Sequence, residues 1–263
     1  MGEGKTTVTF LGTSALIPTA GHDTASFVIN GKYLVDTGWY AALKMLHYGL
    51  SPLDLEYLFI THWHRDHSVG LPQLIFYRRA AAGAGMWELK PLPIVGPPAR
   101  FDEVVSGALA FLLYTDDEEK LLKRIHLTPG EGYESDDFRI DTAAVRHTLE
   151  GLVYRFTDKR TGAVLAFTGD TTYHPPIVDV VRGADLLIHD STYGPEREGD
   201  RPLRQHSGAP EAADIAKAAG VKRLALIHSS PGRQEPAVAA AREIFPNTFW
   251  PQDGETVEVV PGG

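Results

Sequence analysis

The chain has 263 residues, 43% of them hydrophobic and 22% charged, which is ordinary for a globular enzyme that buries a sizeable core. It contains no cysteine, which excludes disulfides, iron–sulfur clusters and thiolate metal sites, so any metal must be held by carboxylates and by the 11 histidines. The formal net charge is −9, and this acidic balance argues against a large nucleic-acid partner, because phosphate contacts supply most of the affinity of nucleic-acid binders.

Hydrophobic patterning predicts strands that predominate in the first part of the chain and alternate with helices in the second. The predicted strands are 6–11, 26–29, 33–36, 57–61, 91–98, 138–146, 152–156, 164–168, 185–189, 224–228, 248–250 and 256–260. The predicted helices are 40–48, 70–82, 101–114, 177–182, 209–219 and 235–244. No Pro/Ser/Gly-rich linker separates the two parts, so we expect one layered α/β domain over residues 1–263.

A cluster of metal-binding residue types directly follows the strand predicted at 57–61. His62, His64, Asp66 and His67 lie within six residues. Ligands this close cannot all point at one tetrahedral ion, but a tight turn can supply two neighbouring ions. Neutral imidazole and carboxylate groups are ligands for zinc and also suit manganese or iron(II). A histidine-rich surface loop is the alternative interpretation, and the Asp-His pair after an apolar strand favours the metal site.

Three more residues of the same types follow later strands of the predicted fold. His147, Asp170 and His228 each lie at or just after the end of a predicted strand. Functional groups of layered α/β folds collect at strand ends and in the loops that follow them. Each residue alone is weak evidence for a site, and their occurrence together with the main cluster indicates a shared one.

This order of residues resembles the binuclear site of the metallo-β-lactamase superfamily. Its fold is an αββα sandwich, in which two mixed β-sheets are flanked by helices. The resemblance spans nearly the whole chain and implies that Asp36 supports the ligand loop. It also implies two divalent metal ions, which are expected to be zinc, with Mn²⁺ or Fe²⁺ as the alternatives. One ion would be held by His62, His64 and His147, and the other by Asp66, His67 and His228. Asp170 would bridge the two ions.

Two later segments are similar to motifs of the ribonuclease Z-like branch of this superfamily: one around Asp190 and one that begins at His206. The resemblance implies that Asp190 orients His206, which protonates the leaving oxygen, while Asp66 binds metal and helps to orient the attacking water. The branch normally has glutamate at the position of Asp190, which is one methylene longer. The alternatives are a helix or turn cap for Asp190 and a surface loop position for His206.

One departure from the branch concerns the substrate. Bacterial ribonuclease Z carries a long tRNA-gripping arm between the lone histidine and the bridging aspartate, and here only residues 148–169 lie between His147 and Asp170. The sequence therefore predicts a small or nucleotide-like substrate instead of tRNA. Residues 71–124 remain for a substrate-selecting insertion. We expect most of its aromatic side chains to be core: Phe76, Tyr77, Trp87, Phe101, Phe111 and Tyr114.

The function predicted from the sequence is a binuclear metal-dependent hydrolase, foremost a phosphodiesterase acting on ester bonds of a small or nucleotide-type substrate. The same metal site could also cleave carboxylic esters, lactones, thioesters or aryl sulfates. A tRNA 3′-processing endonuclease and a non-catalytic metal-binding or regulatory protein are the further alternatives. No signal sequence or apolar run of membrane-spanning length is present, so we expect a cytoplasmic protein without a membrane partner. Dimers are common in the branch, and the resemblance allows a homodimer.

Overall fold

The computed structural model describes residues 4–199 and 205–262, and the statements below concern those residues. Strands are numbered in chain order: β1 (Thr6–Gly12), β2 (Ser26–Ile29), β3 (Tyr33–Val35), β4 (Tyr57–Phe59), β5 (Leu92–Gly96), β6 (Leu122–His126), β7 (Gly132–Glu134), β8 (Phe138–Ala144), β9 (Leu152–Asp158), β10 (Val164–Phe167), β11 (Leu186–Asp190), β12 (Leu224–Ile227), β13 (Thr248–Phe249) and β14 (Thr256–Val259). The helices are α1 (Ala41–His47), α2 (Arg65–Ser68), α3 (Leu71–Gly83), α4 (Phe101–Leu112), α5 (Glu118–Leu121), α6 (Ile177–Val181), α7 (Ala209–Ala219) and α8 (Gln234–Arg242), with 3₁₀ turns at Pro52–Asp54 and Thr115–Asp117.

The strands form two seven-stranded mixed sheets with matching construction. One sheet has the order β14-β1-β2-β3-β4-β5-β6 and the other the order β13-β12-β11-β10-β9-β8-β7. In each sheet an antiparallel portion continues into three parallel pairings, β3 to β6 in the first and β10 to β13 in the second. The helices that connect the parallel strands cover the outer face of each sheet, as parallel strands require.

The core has three parts, one between the sheets and one under each helical layer. The central part is rich in aromatic rings, among them the T-shaped pair Phe27–Phe167 with centroids 5.4 Å apart. Apolar side chains of α1, α3 and α4 pack on the first sheet, and those of α6, α7 and α8 pack on the second. The predicted arrangement of two mixed sheets flanked by helices is therefore confirmed. Within the described ranges, no helix combines the length and the apolar character needed to cross a membrane.

The topology brings several strand ends to one edge of the sandwich. Strands β3 and β4 are parallel, as are β10, β11 and β12, and β8 runs with β10 because both are antiparallel to β9. A bridge between His62 and Gly151 and a hydrogen bond from the Leu152 N–H to the Thr61 carbonyl (2.9 Å) join the loops of the two sheets. The residues that follow these strands consequently face each other across the gap between the sheets.

The predicted elements agree with the observed ones to within a few residues, except that strands β6 and β7 and the short helices α2 and α5 were not predicted. Strand β6 has the sequence LKRIH, which contains no apolar run, and β7 has three residues with no buried side chain. Both strands lie at sheet edges, where short and charged strands are usual.

The expectation that most aromatic side chains of residues 71–124 are core is wrong. Of the six, only Phe101 is buried, whereas Phe76 is 54% exposed and Phe111 is 79% exposed. The exposed rings lie on the outer faces of α3 and α4, away from the sheet that the inner faces cover.

Candidate metal centre

The loop after β4 is shaped by Asp36, which directly follows β3. The Asp36 carboxylate accepts hydrogen bonds from the Thr61 N–H, the Thr61 hydroxyl and His67 Nδ1, each at 2.8 Å. Asp36 has φ +53°, a left-handed backbone conformation that costs a non-glycine residue of order 1 kcal/mol. His228 has φ +63°. Two of the six non-glycine residues with positive φ in the described ranges, Asp36 and His228, therefore belong to the centre.

Close packing of the two loops also requires glycine at position 169. Gly169 has φ +59°, and a Cβ atom there would lie 2.6 Å from the Cβ of Thr61. No side chain larger than hydrogen fits this approach, which brings the loop after β10 against the loop after β4.

The first group of predicted ligands converges as expected from the sequence. His62 Nε2 lies 3.0 Å from His64 Nδ1, which lies 3.0 Å from His147 Nε2. Oδ2 of Asp170 lies 3.6 Å from His62 Nε2 and 3.9 Å from His147 Nε2. The four candidate ligand atoms lie within 4.8 Å of one another.

The second group lies on the other side of Asp170. His228 Nε2 lies 3.2 Å from Asp66 Oδ2 and 3.3 Å from His67 Nε2. Oδ1 of Asp170 lies 3.4 Å from both His67 Nε2 and His228 Nε2. One carboxylate oxygen of Asp170 therefore faces each group, which is the arrangement a bridging ligand needs.

Hydrogen bonds on the far side of the imidazole rings fix which nitrogen faces the centre. His147 Nδ1 donates to the Gln205 carbonyl (2.9 Å), and His67 Nδ1 donates to Asp36. The Thr61 hydroxyl gives its proton to Asp36 and therefore accepts from His62 Nδ1 (3.2 Å). In each case the proton is on Nδ1, so the Nε2 lone pair points inward, as in most histidine metal sites.

Thr192 supplies the corresponding contact for His228. Its hydroxyl donates to Asp190 Oδ1 (2.7 Å) and accepts from His228 Nδ1 (2.8 Å). Thr61 and Thr192 were not predicted as site residues from the sequence. A threonine directly before a ligand loop or two positions after a carboxylate is too common to be a signal, and only the contacts reveal the role.

The electrostatics of the centre fit divalent cations. Burial, followed by the charge of His147, lowers the pKa of His64 to about 4, so this ligand is neutral at neutral pH. Burial alone would lower the pKa of His228, but Asp170, Asp190 and Asp66 raise it to about 10. The carboxylates therefore require positive charge in their midst, which protons or metal ions can provide. Asp170 Oδ1 is buried and accepts no hydrogen bond from the described residues, as expected of an oxygen atom that coordinates a metal ion.

Asp190 and His206 are adjacent to this centre. His206 Nδ1 lies 3.0 Å from Asp190 Oδ2, so the shorter aspartate reaches the histidine without the extra methylene of glutamate. Burial alone would lower the pKa of His206, but the charges of Asp190 and Asp170 raise it above its usual value. The imidazole stacks against that of His228 with centroids 5.5 Å apart and stays partly accessible.

A cleft of about 1100 Å³ opens over the centre. Its floor includes His64, Asp66, His147, Asp170, His206 and His228, and its walls include Leu16, Arg65, Thr192, Tyr193 and Arg233. Between His147 and Asp170 the chain forms only the hairpin of β9 and β10, joined by a tight turn.

Comparison with known proteins matches residues 32–229 to the family model described as "Beta-lactamase superfamily domain". Ribonuclease Z of Methanothermobacter thermautotrophicus is 31% identical over 96% of this chain and 96% of its own length. The metallo-beta-lactamase fold protein YhfI from Bacillus subtilis superposes with a TM-score of 0.83 at 23% identity, covering 97% of this chain and 100% of that one. Human tRNase Z, short form, superposes with a TM-score of 0.75 at 22% identity, covering 96% and 99% of the two chains.

The chain therefore belongs to the metallo-β-lactamase superfamily, in its ribonuclease Z-like branch. It is a metal-dependent hydrolase of the phosphodiesterase type, and the histidine and aspartate groups described above are its candidate sites for divalent metal ions. The archaeal relative is named ribonuclease Z, and this name conflicts with the prediction that a large nucleic acid is an unlikely partner. The archaeal alignment is 303 positions long, so at least 40 of its positions have no residue in this 263-residue chain.

Proposed function

We propose that the protein hydrolyses a small phosphodiester at a binuclear centre, with zinc as the metal. Residues 1–263 would act as one domain, because both sheets contribute to the centre. The observation that supports the proposal most strongly is the position of Asp170, which turns one oxygen to each of two groups of inward-facing ligand atoms. Seven residues would hold the ions: His62, His64, Asp66, His67, His147, Asp170 and His228.

Two divalent ions bound there would activate a water molecule and offset negative charge on the phosphoryl group, which is the chemistry that such pairs supply. The residues of the chain provide the remaining functions. Asp66 lines the cleft, where its carboxylate would help to orient the attacking water. His206 would carry a proton on Nε2 and donate it to the leaving oxygen, while Asp190 holds the opposite nitrogen and stabilises the charged ring.

The short connection between His147 and Asp170 supports a small substrate. The hairpin of β9 and β10 has seven and four residues and extends no surface beyond the sheet. The net charge of −9 would also repel a polyanion. The substrate would therefore be a small-molecule or nucleotide-like phosphodiester.

Processing of tRNA 3′ ends is the second candidate, and the identity with archaeal ribonuclease Z favours it. The two functions make opposite predictions for a precursor tRNA and for bis(p-nitrophenyl) phosphate. Preparations of known metal content should be tested on both substrates, together with a lactone and an aryl sulfate, which cover the other ester chemistries. Cleavage of the precursor tRNA at a higher kcat/KM than any small phosphodiester would overturn the proposal.

Metal analysis of the same preparations tests the identity of the ions. We expect about two zinc ions per chain, and their loss in a variant that lacks Asp170. A preparation that binds no metal would instead support the non-catalytic alternative. A cytoplasmic location and a homodimer are further proposals, which cell fractionation and analytical ultracentrifugation would test.

A further inference from the structure

A second pocket adjoins the metal cleft on the side of α4. It has a volume of about 300 Å³ and shares two of its lining residues, His64 and Arg65, with the cleft. His64 and Arg65 therefore contact both spaces. A molecule bound at the metal centre could extend past His64 into this side pocket.

The side pocket is apolar. Residues 104, 107, 108 and 111 lie on one face of α4 at helical spacing and form one wall. Trp63 forms part of the opposite wall, and its indole N–H donates to the Pro97 carbonyl (2.9 Å), which fixes the ring. Val69 and Phe111, which are 39% and 79% exposed, leave apolar surface at the mouth.

The lining of the side pocket also includes polar side chains. Ser68 donates its hydroxyl to the His64 carbonyl (2.9 Å), and Arg100 pairs with Glu103 (2.5 Å). Arg65 is exposed between the pocket and the cleft, where it can contact an anionic group. Among the described residues, no carboxylate or amide side chain lines the pocket. The polar edges of a nucleobase placed there would lie mostly against apolar walls, which costs free energy, whereas an alkyl or aryl group has no hydrogen bonds to water to lose.

We propose that the side pocket binds an apolar alkyl or aryl arm of the phosphodiester and thereby selects the substrate. The inference rests on the proposed phosphodiesterase function and narrows its substrate class from small-molecule or nucleotide-like phosphodiesters to phosphodiesters with an apolar substituent. The volume is sufficient, because a cavity of about 150 Å³ accommodates benzene. The side pocket could therefore hold a bicyclic ring or an alkyl chain of several carbons.

Gly107 offers a way to fill the pocket without disturbing the fold. It lies inside α4 and lines the pocket, and no heavy atom lies within 4 Å of a Cβ built there. Gly107→Leu would therefore place a side chain into open space, and leucine favours a helix more than glycine does. Gly107→Ala is the matched control, since it makes the same backbone change but leaves most of the volume free.

The test compares the binding of hexylphosphonate and methylphosphonate to the metal-loaded protein by calorimetry. Each buried methylene is worth about fourfold in affinity, so burial of two predicts at least a tenfold preference for the hexyl compound. Gly107→Leu should reduce this preference to less than threefold and leave the affinity for methylphosphonate within twofold. Gly107→Ala should keep the preference. Phe111→Ala, at an exposed position, should weaken hexylphosphonate binding and provides a variant whose folding is not at risk.

Equal affinities for the two phosphonates, or an unchanged preference in Gly107→Leu, would overturn the inference. Turnover of bis(p-nitrophenyl) phosphate is measured in parallel to separate this result from the proposed function. A protein that cleaves the diester but lacks the preference refutes only the side-pocket assignment. A protein that binds hexylphosphonate selectively but cleaves no phosphodiester refutes the proposed function and supports the apolar binding site.

Discussion

Replacement of Asp190 by asparagine tests how the carboxylate acts. Asp190 is fully buried, and Oδ2 accepts from the Thr171 N–H (3.2 Å), the Ser207 N–H (3.2 Å) and His206 Nδ1 (3.0 Å). Oδ1 accepts from the N–H and the hydroxyl of Thr192, at 2.9 and 2.7 Å. An amide has only one acceptor oxygen, so its NH₂ group must face donors on one side.

The amide orientation that costs less free energy keeps the asparagine oxygen toward His206 and turns the NH₂ group toward Thr192. The N–H and the hydroxyl of Thr192 then both lose their acceptor, and the remaining bonds lose their charge, which together should cost about 2–4 kcal/mol of unfolding free energy. A general acid contributes about 10²–10⁴ in rate, and loss of the charge that supports His206 should remove about 10–100-fold of kcat. Urea unfolding and steady-state kinetics on one phosphodiester measure the two effects.

Two further variants separate positioning from stability. If Asp190 acts through His206, Asp190→Asn should add less than threefold to the loss of kcat in a His206→Ala background, and His206→Ala should retain both metals. Asp158→Asn is the matched control: its carboxylate is also buried, and it accepts from Thr6, Asn30 and Arg160 far from the centre. It should lower stability with little effect on kcat. Independent, multiplicative effects of the changes at Asp190 and His206 would refute the reasoning.

Three more predictions address ligands, packing and pH. Replacing the bridging carboxylate (Asp170→Ala) should remove metal and turnover together by metal analysis and assay, whereas Gly169→Ala should lower metal affinity at least tenfold, because its Cβ would meet Thr61. Arg78→Met should lower the unfolding free energy by about 2–4 kcal/mol in urea, since the buried guanidinium donates to the carbonyls of Pro52, Leu55 and Lys90. Burial alone would raise the pKa of Asp158, but Arg160 and the other donors lower it. The stabilisation by the Asp158 carboxylate is therefore fully present above the unfolded pKa of about 4 and is lost as pH falls through the lower folded pKa, so the stability difference from Asp158→Asn should begin to narrow below about pH 4.

The sequence by itself predicted one layered α/β domain with histidine and aspartate residues at its strand ends, and its resemblance to the metallo-β-lactamase superfamily supplied the two-sheet fold and the grouping of the ligands. Apolar strands followed by histidine or aspartate are local features, and parallel strands bring their ends to one edge whatever the details of packing. The pairing of Asp190 with His206 also followed from sequence motifs. Its geometry did not, because the reach of an aspartate depends on how closely β11 approaches the loop that carries His206.

Only the tertiary structure revealed the contacts between distant residues that carry no local pattern. The roles of Thr61 and Thr192 depend on which hydroxyl faces which imidazole. The exposure of Phe111 and the space beside Gly107 depend on where α4 lies relative to the ligand loop. Such features arise from packing between segments far apart in the chain, and hydrophobic periodicity records only that a side of a helix is apolar, not what the apolar side will contact.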